Sequence, residues 1–343
     1  MSPLSPPTPA IPRKSRDDLP VTLKPRVEPD ILGGSWMCRT LPVEDSPAAP
    51  GARHACLVYE REAAHQPPRY RDAVLYIHGR NDYFFQTHVA QACQDEGYEF
   101  YGLDLRACGR AGRTYERPHD VRDLRVHDDE IAQALEIIRS EHGHERIILM
   151  GHSTGGLQCV IWAADHPGQC EGIILNSPWL DVHASAFMRS YGSAIMEIIA
   201  KYQPEKILSD DDDPTYAHSL HKNWDGEWDF DLELKPCPSV PVRAGFLAGI
   251  RRLQRDVHHG LGISEPILLC CSDTTGPAHP TMKQAQSSDI VLSVEQMLER
   301  SRFLGDDVTI HQVPGGMHDL ALSAQPARDD YLQTVTTWLR EHR

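Results

Sequence analysis

Six short apolar runs punctuate the chain, at Ala73 to Ile77, Glu99 to Leu103, Arg146 to Met150, Gly172 to Leu175, Ile267 to Cys271 and Val308 to Val313. Each is short enough to be a buried strand. Around them apolar positions recur at helical spacing. Ile131, Leu135 and Ile138 share one face of a helix predicted over 129–139, Leu157 to Ala164 forms another, and Tyr331, Val335 and Leu339 lie on one side of a last helix. Strands alternating with helices predict an α/β chain whose central sheet is mainly parallel and covered on both faces. The loops at the strands' carboxyl ends are then the place for function.

This rhythm fails between Trp179 and Glu265, where aromatic and Met residues stand beside an acidic run, Asp210 to Asp213. The stretch 179–265 is predicted to be an inserted helical cap over the carboxyl edge, with the acidic run as a solvated turn before Pro214. Residues 1–50 hold 11 of the chain's 26 prolines and are predicted to form a partly mobile extension. That leaves 51–178 and 266–343 as the core.

Composition narrows the function. The net charge of -15 repels phosphate backbones, which excludes a nucleic-acid partner. Nine cysteines without a C-x-x-C pair, no signal-like start and no apolar run near the ~20 residues of a membrane span together predict a cytoplasmic protein with no integral membrane association. No His-Cys cluster at zinc spacing occurs, so neither a metal nor an organic cofactor is expected.

The chemistry gathers at Gly151-His152-Ser153-Thr154-Gly155-Gly156, between an apolar strand and an apolar helix. A strand that turns at once into a helix strains the corner residue and brings the two elements nearly into contact, so the positions two away on each side must be tiny. Ser153 is the predicted nucleophile, held out above the sheet. Its hydroxyl needs a base that a third group orients, and in this arrangement acid and histidine follow the serine in that order. His318 follows the last strand in Val313-Pro314-Gly315-Gly316-Met317-His318 and is the candidate base. Two acids remain open: Asp273, directly after the strand 267–271, and Asp289, later in the same loop. The N–H groups of Arg80, after Tyr76-Ile77-His78-Gly79, and of Thr154 are the candidate oxyanion donors. Phe84, Phe85, Trp179, Phe187 and Met188 are candidate walls of an apolar substrate pocket.

Taken in order, His78-Gly79, the glycine-flanked serine, Asp289-Ile290-Val291 and Gly316-Met317-His318 resemble the α/β-hydrolases, specifically the monoacylglycerol lipase, lysophospholipase and serine aminopeptidase-like branch. The likeness runs from about residue 55 to the end. In that branch the acid sits in an Asp-x-Val stretch about thirty residues before the histidine. Asp289 precedes His318 by 29 residues and Asp273 by 45, so the resemblance implies Asp289 as the acid and Thr274 to Ser287 as an insertion. It also implies an α/β-hydrolase fold and a serine esterase acting through an acyl-enzyme on small to medium apolar esters, a small-molecule substrate.

Two positions depart from the branch's pattern, Arg80 after His-Gly and the loop Leu105 to Gly112. Arg80 is thereby a candidate partner for a free carboxylate on a monoester. An aminopeptidase or amidase is the alternative, with Glu197, Glu205 or Asp181 to anchor an ammonium. A non-catalytic relative is disfavoured because both the serine and the histidine are in place.

Overall fold

The computed structural model describes residues 25–113, 115–181, 197–209 and 213–343. Its main sheet has nine strands: β1 (Val27–Pro29), β2 (Trp36–Pro42), β3 (His54–Glu60), β4 (Asp72–Ile77), β5 (Tyr98–Asp104), β6 (Arg146–His152), β7 (Gly172–Asn176), β10 (Ile267–Ser272) and β11 (Val308–Val313). They lie in the order β1-β2-β3-β5-β4-β6-β7-β10-β11. Every pair from β5 to β11 is parallel, and β1, β2 and β3 add an antiparallel margin. The longer helices are α1 (Thr87–Asp95), α3 (Asp128–Glu136), α4 (Thr154–Asp165), α6 (Ala244–His259), α8 (Val294–Ser301) and α9 (Ala327–Glu341). Shorter ones are α2 (Gly109–Gly112), α5 (Thr215–Leu220) and α7 (Met282–Ala285).

The central strands are buried on both faces, and their side chains divide with period two. Leu75, Ile77, Leu149, Ile173 and Leu269 enter one apolar cluster; Val74, Tyr76, Met150, Ile174 and Leu268 enter another. α4 covers the first face through Leu157 and Val160, and α9 covers the second through Tyr331, Val335 and Leu339. This explains why the apolar runs are continuous and not alternating. Among the described residues no helix is long and apolar enough to cross a membrane.

Two expectations need correction. Residues 25–50 are not an extension: β1 and β2 pair into the sheet, Leu41 and Ala49 join its core, and the Arg110 guanidinium holds Asp30 at 2.6 and 2.7 Å. Two of its five prolines, Pro29 and Pro42, sit at strand ends, where the ladder tolerates them. Nor is all of 179–265 a helical cap. It contains a two-stranded ribbon, β8 (Ile207–Ser209) with β9 (Val242–Arg243), and α6 belongs to the core, where Phe246, Ile250, Leu253 and Val257 pack. Gly249 permits the close approach of α6, because a Cβ there would lie 2.4 Å from the Arg122 carbonyl oxygen.

Below the margin, the fully buried Arg106 forks onto Glu130 of α3, with Nη2 to Oε2 at 2.6 Å and Nε to Oε2 at 3.0 Å, and His127 Nδ1 meets Oε1 at 2.7 Å. Burial alone would raise the Glu130 carboxyl, but His127 and Arg106 outweigh it and hold it at about 2, against an ordinary 4.5. The folded state therefore binds this proton at lower pH than the unfolded chain. The resulting stability, on the order of 3 kcal/mol, is complete above pH 4.5 and is lost as pH falls toward 2. Urea unfolding at steps between pH 5 and 2 is expected to show a shallower loss for Glu130→Gln than for the wild type; parallel losses would refute it.

Candidate active site

Ser153 joins β6 to α4 with φ 53° and ψ −114°, a conformation that L-residues rarely hold without support. The support is main-chain. Its N–H donates to the Asn176 oxygen at 3.0 Å, and its own oxygen accepts from Leu157 N at 3.2 Å and Trp179 N at 3.0 Å. The flanking glycines are obligatory: a Cβ on Gly155 would lie 2.1 Å from the Ile77 oxygen, and one on Gly151 would lie 2.5 Å from the Gly155 oxygen. α4, twelve residues long, starts at Thr154, so its N-terminal partial charge faces the same corner.

The carboxyl ends of four other strands converge on this corner. His318, beyond β11, puts Nδ1 2.9 Å from Asp289 Oδ2. Its ring stands 4.9 Å from that of His152, the residue before the serine. Asp289 is fully buried, and its Oδ1 accepts the N–H groups of Val291 at 2.9 Å and Leu292 at 2.8 Å. Asp273 is exposed and instead caps the turn before the histidine, accepting from Gly315 N at 3.0 Å. The main chain of 274–276 pairs with Asp289, Asp289 N donating to Thr274 O at 3.0 Å and Gly276 N to Asp289 O at 2.7 Å, which brings the distant acid back to the strand end. From β4, Gly79 is wedged so tightly that a Cβ would stand 3.0 Å from His152 Cδ2 and 3.2 Å from Ser153 Cβ. His78 is structural: Nδ1 meets the Gly79 oxygen at 2.7 Å, Nε2 accepts from Leu105 N at 3.1 Å, and burial lowers its pKa.

Ser153 and His318 open into one hollow of about 430 Å³. Trp179, Phe246, Val242, Ile290 and Leu292 give it apolar walls, and Asn81, Ser239 and Lys235 give it polar ones. Among the candidate wall residues Trp179 lines it, whereas Phe187 and Met188 lie outside the described residues. Phe84 and Phe85 do not line it. Phe84 packs over Gly102 on the sheet, between Trp36 and Phe100, and Phe85 packs against Tyr83 and Phe230. Both rings go into core clusters, which the sequence did not reveal.

Arg80 lines the hollow, but its guanidinium donates to the Val240 and Pro241 carbonyls and lies 5.3 Å over the Phe246 ring. The acids expected of an amine site are also engaged: Glu197 with Arg255, Glu205 with Arg117 and Arg122, and Asp181 with Arg251 and Arg300. None of the three is among the residues lining the hollow.

Behind His318 the buried Asp82, His152 and Asp319 bring ligand-type atoms within 4.8 Å of one another. Lys235 Nζ already neutralises Asp82 at 2.7 Å, and Asp319 accepts from Asn176 Nδ2 at 2.7 Å and Ala321 N at 3.1 Å. Burial would raise the Asp319 carboxyl, but His152, Lys235 and Asn176 pull it below the usual range. Sequence reasoning missed this group and Tyr216, whose ring meets His318 edge-on at 5.8 Å. Tyr216 comes from a segment without strand-helix rhythm, so only the fold places it there.

A parallel sheet carrying a strained serine corner, with a histidine and an acid on later strand ends, defines an α/β-hydrolase. The family model described as "Serine aminopeptidase, S33" matches residues 68–323, and the chain belongs to that family. Over 114 residues it is 31% identical to a monoacylglycerol lipase of Mycolicibacterium smegmatis, covering 33% of this chain and 40% of that protein. Over 112 residues it is 27% identical to abhydrolase domain-containing protein abhd-5.2 of Caenorhabditis elegans, covering 32% of this chain and 24% of the relative. The chain thus matches less than half the length of these curated relatives.

Solved structures with a similar fold include a monoacylglycerol lipase of Paleococcus ferrophilus, with TM-score 0.58, 18% identity, and 80% and 97% of the two chains covered. A soluble variant of monoglyceride lipase from Saccharomyces cerevisiae gives TM-score 0.59 at 16% identity, covering 94% and 97%. A carboxyl esterase of Bacillus coagulans gives 0.62 at 12% identity, covering 90% and 99%. At these identities the likeness is one of fold.

Proposed function

We propose that the chain is a serine carboxylic-ester hydrolase working through an acyl-enzyme on small to medium apolar esters. The observation that carries the reading is the 2.9 Å contact of His318 Nδ1 with Asp289 Oδ2 in a hollow shared with the strained Ser153. Asp289 accepts a hydrogen bond from His318 Nδ1–H, which keeps that proton on Nδ1 and leaves the Nε2 lone pair for the serine hydroxyl. Ser153 Oγ attacks the ester carbonyl as His318 takes its proton, and the oxyanion is received by the N–H groups of Thr154 and Arg80. His318 then protonates the departing alkoxide, and a water repeats the sequence to release the acid.

The Trp179 and Phe246 walls suit an apolar acyl or alcohol group, as on the glyceryl monoesters named by the Mycolicibacterium relative. With its guanidinium engaged by carbonyls, Arg80 does not favour a carboxylate-bearing monoester. The ion-paired acids likewise favour an ester over an aminopeptidase substrate. A fluorophosphonate is expected to add once to the wild type, at Ser153, and not to Ser153→Ala, by intact mass and peptide mapping. Nitrophenyl butyrate should be hydrolysed far faster than an amino-acid anilide. An unmodified wild-type mass, or preference for the anilide, would overturn the proposal.

A further inference from the structure

Four consecutive residues after β4 grip one strap of chain, residues 231–241. Arg80 Nη2 donates to the carbonyls of Val240 and Pro241. Asn81 Nδ2 donates to the Pro236 oxygen at 2.9 Å and Ser239 Oγ at 3.3 Å, and its Oδ1 accepts from Val240 N at 3.2 Å. Asp82 accepts from Lys235 Nζ at 2.7 Å, and the Tyr83 hydroxyl accepts from Asp231 N at 2.8 Å. The strap is a wall of the hollow, which Lys235, Pro236 and Ser239 all line.

Asn81 is the hub of this grip. Its φ of 55° lies in the left-handed region, which asparagine enters more readily than most side chains. Its N–H donates to His119 Nδ1 at 3.2 Å. Burial, with His78 and Arg80 nearby, pushes the His119 imidazole well below its ordinary pKa, so the ring stays neutral and able to accept. Its main-chain N–H and both ends of its side-chain amide are therefore engaged. On the other side of Arg80, Gly79 is fixed against His152 and Ser153.

We infer that Asn81 is a positioning residue: by holding the strap with its side-chain amide and His119 with its main-chain N–H, it fixes the adjoining Arg80 N–H for the oxyanion. This rests on the acyl-enzyme reading given above. A donor displaced by a fraction of an ångström from the developing charge loses much of its effect on the transition state and little of its effect on substrate binding.

The test compares wild type with Asn81→Gly, which keeps the left-handed backbone and drops the side chain. A second variant, Asn81→Asp, keeps the acceptor for Val240 and loses both donors. Active sites are titrated with fluorophosphonate, and kcat, KM and the affinity for a trifluoromethyl ketone are measured. For Asn81→Gly, kcat per titrated site is expected to fall about 10- to 100-fold with KM within about threefold, and ketone affinity to weaken by the same factor as kcat. Asn81→Asp, which sets a carboxylate oxygen against the Pro236 carbonyl oxygen in place of a donor, is expected to lose at least as much kcat as Asn81→Gly. Unchanged kcat, a loss confined to KM, or unchanged ketone affinity overturns the inference, since a merely structural role would lower the number of titrated sites and not their rate.

If neither variant is soluble, a wild-type structure with the ketone decides. Its oxygen on Arg80 N, with the Asn81 contacts to 236 and 240 kept, supports the inference; an oxygen held elsewhere overturns it. A wild type that does not react with fluorophosphonate overturns the acyl-enzyme reading and this inference with it.

Discussion

Asp289→Asn is expected to lower kcat about 10⁴-fold, and Asp273→Asn to change it by no more than about twofold. The difference lies in what each carboxylate holds. Asp289 Oδ1 accepts the N–H groups of Val291 and Leu292, so an asparagine there must keep its carbonyl oxygen on that side. Its NH₂ then faces His318 Nδ1, where Oδ2 now lies at 2.9 Å. A donor at that point demands an unprotonated Nδ1, which puts the proton on Nε2 and removes the lone pair that the proposed attack by Ser153 requires. The backbone contacts survive, so the fold should be intact while the base is in the wrong tautomer. Asp273 serves only the Gly315 turn. Turnover of nitrophenyl butyrate by folded, titrated enzyme measures both. Retention of a tenth of wild-type kcat by Asp289→Asn would remove Asp289 from the mechanism. Ser153→Ala sets the floor of the assay, about 10⁶-fold down.

The largest stability effect is expected at Gly155→Ala, above about 4 kcal/mol. The added methyl would sit 2.1 Å from the Ile77 oxygen and 2.5 Å from the His78 oxygen, and neither neighbour is a flexible side-chain tip. Both are main chain at the end of β4, and Ile77 is already pinned to β6 through its pairing with Gly151. Relief requires α4 to withdraw from the sheet, which would open the core around Leu157 and Val160. A thermal midpoint within a degree or two of wild type would mean that α4 has room to retreat.

What the sequence made legible follows from burial. Strands covered on both faces leave continuous apolar runs; all six runs coincide with strands, five of them covered in this way and the last, β11, a partly exposed edge strand, so the mainly parallel α/β sheet could be read from them. β2 escaped because it is half-buried, with the interrupted sequence Trp-Met-Cys-Arg-Thr-Leu-Pro, and because nearby prolines suggested an extension. In α6 the stripe Phe246, Ile250, Leu253 and Val257 was present, but Gly245 and Gly249 dilute it, and those glycines exist to let Arg122 come near. At the candidate site, the serine corner and the loop after the last strand carry local signals. The choice between Asp273 and Asp289 does not, since it depends on how residues 274–288 fold back. Phe84 and Phe85 were misread as pocket walls because an aromatic residue near a strand end has the same appearance whether it faces the hollow or the sheet. Asn81 carries no pattern at all; its side-chain partners lie 155 to 159 residues away.

The peptide oxygen of Ser153 is shared between the first turn of α4 and the N–H of Trp179. The indole that bounds the hollow is therefore indexed to the Ser153 corner by main chain, not by its own side chain. The room beside the serine and the setting of its hydroxyl are thus governed by separate parts of one residue pair, so the chain can exchange the ring for another without resetting the backbone that carries Ser153.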